Sequence, residues 1–295
     1  MTHCGFVALL GKPNAGKSTL VNQLVGQKIS IVTPKAQTTR SRIRGIVVRE
    51  NTQIILVDIP GIFKPKRRFE KAMVAAAWEE AKEADLMLLL LDVTSSIDEE
   101  THSIICKLAD LKKPCALVLN KIDLIKKEKL LALIAELRSY AFFEETFMIS
   151  AMTGENTEEL MAYLVRKMPQ APFMYPEDSI SDMPMRLMAS EITREKLFMH
   201  LQKELPYSLA VETTSWEENE TAVRIEQTIY IQRDAQKAIV IGRGGQMLKK
   251  IGQAARLELS RITEKKVSLF LFVKVRENWI NDPERYAEWG LDFNA

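Results

Sequence analysis

Gly11-Lys12-Pro13-Asn14-Ala15-Gly16-Lys17-Ser18 matches the phosphate-binding pattern GxxxxGK[ST] at every fixed position. The apolar run 6–10 before it reads as a buried strand, and residues 19–25 after it can open a helix. Glycines let the backbone wrap a phosphate closely, while consecutive N–H groups and the helix dipole favour its negative charge. Lys17 is placed for the β- and γ-phosphates and the Ser18 hydroxyl for magnesium. This strand–loop–helix predicts a nucleoside triphosphate site.

Working outward, residues 5–168 alternate between strand-like and helix-like segments. Strands are expected at 5–10, 45–49, 53–58, 86–92, 115–119 and 147–149, with amphipathic helices at 69–83, 98–111, 126–140 and 158–168. Near-continuous apolar strands separated by helices predict a mostly parallel sheet covered on both faces. The strands 45–49 and 53–58 are joined only by Glu50-Asn51-Thr52, a hairpin that supplies one antiparallel edge strand. Pro169, Pro172, Pro176 and Pro184 then mark an extended linker. Beyond it come a helix at 190–205, strands at 209–216 and 222–232, a short helix, a glycine turn at 242–245, a helix at 246–263 and a strand at 267–275. That order describes a small α+β domain, with Trp279, Tyr286 and Trp289 in a tail that packs back. The expected division is a nucleotide domain over 1–168, a linker over 169–189 and a second domain with its tail over 190–295.

The 295 residues suit two domains, and 46% hydrophobic with 27% charged residues suits a globular chain with a core. Net charge is only +2, so any basic surface is local. Cys4, Cys106 and Cys115 lack CxxC spacing, which argues against a disulfide framework or a zinc site. The greasiest run, 86–91, falls far short of the ~20 residues that span a bilayer. With no signal peptide before the phosphate loop, the expectation is a soluble cytoplasmic protein, with peripheral contact at the inner face of the membrane left open.

Asp58-Ile59-Pro60-Gly61 follows an apolar strand, so Asp58 can hold magnesium through its water shell and Gly61 can present its N–H to the γ-phosphate. Asn120-Lys121-Ile122-Asp123 decides the base. A carboxylate accepts from both N1–H and the 2-amino group of guanine, whereas adenine offers neither donor. Asn120 can tie this loop to the phosphate loop, and the Lys121 stem can cover the base. Ser150-Ala151-Met152 fits the last nucleotide contact, with the Ala151 N–H on guanine O6. The polar segment 33–40 reads as a mobile loop in which a threonine, Thr39 ahead of Thr38, completes magnesium coordination when the γ-phosphate is present.

The ordered set GKPNAGKS, TTR, DIPG, NKID and SAM resembles the TrmE–Era–EngA group of translation-factor-related GTPases over residues 5–168. The resemblance implies GTP and GDP as ligands, Lys17, Thr39, Gly61 and Asn14 as catalytic groups, and Ser18, Thr39 and Asp58 as magnesium ligands. In that group a hydrophobic residue, here Ile62, replaces the glutamine that orients water, so intrinsic hydrolysis is expected to be slow. Some members hold potassium through an asparagine equivalent to Asn14.

Ile241-Gly242-Arg243-Gly244-Gly245 joins two helices in the second domain, ahead of Lys249, Lys250 and Arg256. Between 233 and 250 the chain carries Arg233, Lys237, Arg243, Lys249 and Lys250 against the single anion Asp234. The arrangement resembles a type II KH domain over 190–276, which implies that about four single-stranded nucleotides lie beside the GXXG turn. Ile239, Ile241 and Ile251 are candidates for its apolar floor or, equally, for the domain core. An α/β P-loop GTPase domain followed by such a domain resembles the Era family, as does Met188-Ala189-Ser190-Glu191-Ile192 with Arg194-Glu195-Lys196. That resemblance implies a monomer that binds the 3′ end of 16S ribosomal RNA and assists assembly of the small ribosomal subunit. The alternative is a regulatory GTPase adaptor acting through protein or peripheral membrane contacts. An adenine-specific ATPase is opposed by Asp123.

Overall fold

The structure, a computed structural model, describes all residues except 36, 37, 41, 138, 139, 141, 204, 278, 280, 281, 284, 285, 287–289 and 295, and the side chain of residue 127. Ala36 and Gln37 of the expected mobile loop, Arg138 and Ser139 of the expected helix 126–140, and Trp289 of the tail therefore lie outside the described residues.

The first unit covers 1–182 together with the described tail residues 290–294, and the second covers 183–286. In the first, β1 (His3–Leu10), β2 (Ile43–Arg49), β3 (Thr52–Asp58), β4 (Leu86–Asp92), β5 (Cys115–Asn120) and β6 (Thr146–Ile149) form one sheet in the order β2-β3-β1-β4-β5-β6. All neighbours are parallel except β2 and β3. Helices α1 (Lys17–Val25), α2 (Arg68–Glu83), α3 (Glu99–Asp110), α4 (Lys127–Leu137) and α5 (Thr157–Lys167) complete it. Leu86 to Leu90 are fully buried on the central strand β4. Each such side chain stabilises the fold by about 1.5–3 kcal/mol through burial alone. In parallel register, Leu9 of β1 lies beside Asp58 of β3 and Asp92 of β4 beside Asn120 of β5. The functional loops thus leave the same end of the sheet.

Residues 169–182 are not a free tether. Gln53, buried on β3, spends its side chain on Met174 and Tyr175, and the Ile46 N–H of β2 donates to the Ile180 carbonyl at 2.9 Å. The segment pairs with the open side of β2, where unpaired strand groups would otherwise face solvent.

The second unit contains α6 (Met185–His200), β7 (Leu209–Glu218), β8 (Ala222–Ile231), α7 (Asp234–Ile241), α8 (Gln246–Thr263) and β9 (Lys266–Val275), with sheet order β7-β8-β9. Strands β7 and β8 are antiparallel, and β8 and β9 parallel. The expected boundary at 190 lies inside α6, which starts five residues earlier and ends at His200. The cause is Pro184, whose φ of −61° suits the N-cap and whose missing N–H costs nothing at a helix start. Within α6, Ser190, Glu191, Thr193, Arg194 and Glu195 are buried polar groups. Thr193 Oγ1 donates to Gln227 Oε1 at 2.6 Å and Arg194 pairs with Glu191. Trp279 and Tyr286 are fully buried. No helix among the described residues is long and apolar enough to cross a membrane.

Candidate functional site

The phosphate loop turns out of β1 into α1 through Gly16, whose φ is 98°. A Cβ at Gly16 would stand 2.1 Å from Asn120 Nδ2, so glycine is required where Asn120 crosses the loop. Asn120 Nδ2 donates to the Ala15 carbonyl at 2.8 Å, and its Oδ1 accepts the Lys121 and Ala151 N–H groups at 2.8 and 2.9 Å. One buried amide therefore holds three of the sequence motifs together. The Ala151 N–H, the group expected on guanine O6, thus stands at the junction of the three motifs. Ser150 is fully buried, and its Oγ accepts the Thr153 N–H at 3.2 Å, so its side chain shapes the turn.

Lys17 is buried, and its ammonium donates to the Gly11 and Lys12 carbonyls, both at 3.1 Å. Desolvation lowers its pKa to about 8, with the Asp58 charge opposing. Pro13 packs on Gly61, where a Cβ would approach the Pro13 nitrogen to 2.7 Å. The Lys12 side chain turns outward to Asp98 at 2.5 Å and Glu100 at 3.3 Å, leaving the backbone of Lys12 as its part in the loop.

At the end of β3, Asp58 Oδ2 accepts from Ser18 Oγ at 2.6 Å, and Ser18 Oγ lies 3.0 Å from Thr39 Oγ1. Asp58 is fully buried, and among the described residues its Oδ1 has no hydrogen-bond partner. Burial pushes Asp58 above the ordinary carboxylate range, against hydrogen bonds from Ser18 and Ser30 and the Lys17 charge. A buried oxygen left unpaired beside two hydroxyl groups is a donor set for a hard cation such as magnesium. Of the two threonines only Thr39 joins this cluster, since Thr38 Oγ1 donates to the Lys35 carbonyl at 2.7 Å. Ile59 and Ile62 are buried in the core, and the Ile62 N–H donates to the Gly11 carbonyl at 3.0 Å. The Asn14 amide, at a φ of 65°, donates to the Pro34 carbonyl at 3.1 Å.

These groups surround a cavity of about 710 Å³, floored by residues 12–19 and walled by Thr33, Pro34, Thr38 and Thr39. Lys121 and Met152 line its far end, where Lys121 Nζ is 2.5 Å from Asp92. Asp123 does not line the cavity; it is exposed on the short turn Ile122–Leu124 after β5. Sequence reading missed Ser30, which donates to Asp58, and Asn22, which holds the main chain of Ser30, and no spacing signal marks either residue.

In the second unit the glycine turn separates α7 from α8. Gly242, Gly244 and Gly245 have φ of 73°, 57° and 78°, and a Cβ at Gly244 would meet nothing within 4 Å. Among the described residues no side chain caps α8 at Gly245, so its first N–H groups remain available to an anion. Arg243, Lys249 and Lys250 are exposed around the turn. An open groove beside it is lined by Asp234, Lys237, Ala238, Ile241, Gly242 and Arg243. Of the two readings open for Ile251 the structure takes the core one: it is fully buried and packs with Leu197, Ile229 and Val240. Ile239 is 56% exposed.

A family model described as a 50S ribosome-binding GTPase matches residues 6–121, and a KH domain model matches 204–280. The chain is 57% identical over 293 residues to GTPase Era of Mesorhizobium japonicum, covering 99% of this chain and 94% of that protein. Among solved structures it is similar to Era in complex with MgGDPNP and nucleotides 1506–1542 of 16S ribosomal RNA. The TM-score is 0.93 at 39% identity, covering 98% of this chain and 99% of the other. An Aquifex aeolicus Era variant bound to GDP·AlF4− gives 0.93 at 38% identity, with the same 98% and 99% coverage.

Proposed function

The chain belongs to the Era family of GTPases, and from that premise we propose that it is a GTP-driven switch whose second unit grips the 3′ end of 16S ribosomal RNA and assists assembly of the small ribosomal subunit. The observation that carries the catalytic half is the Ser18–Thr39–Asp58 cluster next to Lys17. Ser18, Thr39 and Asp58 would hold magnesium, which when bound neutralises charge on the β- and γ-phosphate oxygens. Lys17 exchanges its loop carbonyls for those oxygens and stabilises charge as the γ-phosphoryl group departs. Gly61 brings its N–H to the γ-phosphate, at a spacing set by its contact with Pro13. The Ile62 side chain is buried, so that position orients no water, and turnover is slow until another group supplies the missing stabilisation. We further propose that a monovalent cation does so, held by Asn14 with its amide turned to present Oδ1 beside the Pro34 carbonyl.

Asp123 reads guanine from its turn, while Lys121 covers the base. Thr39 bonds within the metal cluster and is four residues from β2, whose open side pairs with 180–181 just before the second unit. Order at Thr39 is thereby passed to the chain entering that unit.

RNA binding is tested with Gly244→Asp in the full chain. Nothing packs on Gly244, and aspartate tolerates its left-handed backbone, so folding is retained. A fluorescent single strand copying the 16S 3′ end should lose binding while GTP turnover persists. Unchanged RNA affinity would sink the assignment.

A further inference from the structure

Ser30 is fully buried at the start of the loop that carries Thr39, and its Oγ donates to Asp58 Oδ2 at 2.7 Å. The same oxygen accepts from Ser18 at 2.6 Å, so both of these donors are spent on Oδ2, while among the described residues Oδ1 has no hydrogen-bond partner. What fixes Ser30 is Asn22 of α1. Asn22 Oδ1 accepts the Ile29 and Ser30 N–H groups, each at 2.9 Å, and its Nδ2 donates to the Ser30 carbonyl at 2.8 Å. The whole polar end of one side chain is used to hold two residues of main chain.

We propose that Ser30 is a positioning residue for the magnesium carboxylate: with Ser18 it pins Asp58 Oδ2 so that Oδ1 faces the metal's water shell, and Asn22 locks Ser30 in place. The inference rests on the assignment of Asp58 to magnesium. A carboxylate turns easily about its last torsion, and without Ser30 either oxygen can swing toward Ser18 and Thr39. Partners of this kind, one bond removed from a metal, orient its ligands and sharpen its affinity. The anchoring also separates two kinds of ligand. Ser30 is tied to α1 and stays with Asp58 whichever nucleotide is bound, whereas Thr39 belongs to a segment that changes with the γ-phosphate. Ser30 therefore supports magnesium in the GDP and GTP states alike.

The experiment is a magnesium titration of nucleotide retention by full-length protein, using fluorescent GDP and a non-hydrolysable GTP analogue. Ser30→Ala should raise the half-saturating magnesium by about 10–100-fold for both nucleotides. Affinity in EDTA should stay unchanged. Thr39→Ala should act on the triphosphate alone. In an Asp58→Asn background, Ser30→Ala should add nothing further, the signature of two groups acting as one. An unaltered magnesium requirement in Ser30→Ala, with Asp58→Asn raising it, would overturn the role of Ser30. Equal losses in EDTA and in magnesium would do the same, because they would mark a general structural defect. An Asp58→Asn protein with wild-type magnesium dependence would instead overturn the metal assignment beneath it.

Discussion

Gln53 reads both backbone groups of Tyr175. Its Nε2 donates to the Tyr175 carbonyl at 2.8 Å, and its Oε1 accepts the Tyr175 N–H at 3.0 Å and the Met174 N–H at 2.9 Å. Gln53 is fully buried five residues before Asp58 on the same strand. The linker is thus clamped to the strand that carries Asp58. Gln53→Ala leaves these partners unpaired and should destabilise the first unit by about 1–3 kcal/mol. It should also shrink the difference in RNA affinity between the GTP and GDP forms. Urea unfolding and paired RNA titrations measure the two effects; a mutant with wild-type coupling would detach the clamp from the switch.

Asp123 is exposed and outside the cavity lining, so Asp123→Asn should leave thermal stability nearly unaltered. Its effect should fall on the base, moving preference from GTP toward xanthosine triphosphate, whose 2-oxo group accepts from the new amide. Competition binding with the two triphosphates decides it, and retained GTP preference would count against Asp123 as the reader of guanine.

Burial holds Lys17 at about 8, below the ordinary lysine value of 10.5. In the nucleotide-free protein the unfolded chain therefore carries more protons than the folded one between those values. Lysine's contribution to stability accordingly rises with pH across that window. Triphosphate oxygens restore the charge, so binding takes up a proton there and affinity falls as pH climbs beyond 8. Calorimetry at pH 8.5 in two buffers of different ionisation heat should show net proton uptake; none would contradict the buried, depressed lysine.

A methyl group at Gly61 would meet the Pro13 backbone at 2.7 and 2.8 Å. Gly61→Ala must push the two loops apart and move the N–H intended for the γ-phosphate. Single-turnover GTP hydrolysis should drop about 100-fold, the scale of one lost transition-state donor. GDP binding should be spared, and equal damage to both would show that the contact only supports the fold.

If Asn14 helps to hold a monovalent cation, turnover should be faster in potassium than in sodium, and Asn14→Ala should erase the difference. Equal rates in the two salts for the unmodified protein would remove the cation from the mechanism.

The amino-acid sequence by itself determined the order of strands and helices and the chemical type of each loop. Its apolar runs, such as 86–90, have no polar face to leave in water, and GKPNAGKS and NKID each stand where such a run ends. Those are local properties, carried by residues adjacent in the chain. Only the tertiary structure decided which side chains meet. Leu9 lies beside Asp58 because β1 and β3 pair in one parallel register, and that register brings Ser18 and Ser30 to Asp58 across 40 and 28 residues. Tertiary packing also sent Ile62 into the core, turned Lys12 out to Asp98 and fastened a proline-rich segment to Gln53. Each of these outcomes depends on a partner far away in the chain, and spacing along the chain carries no record of it.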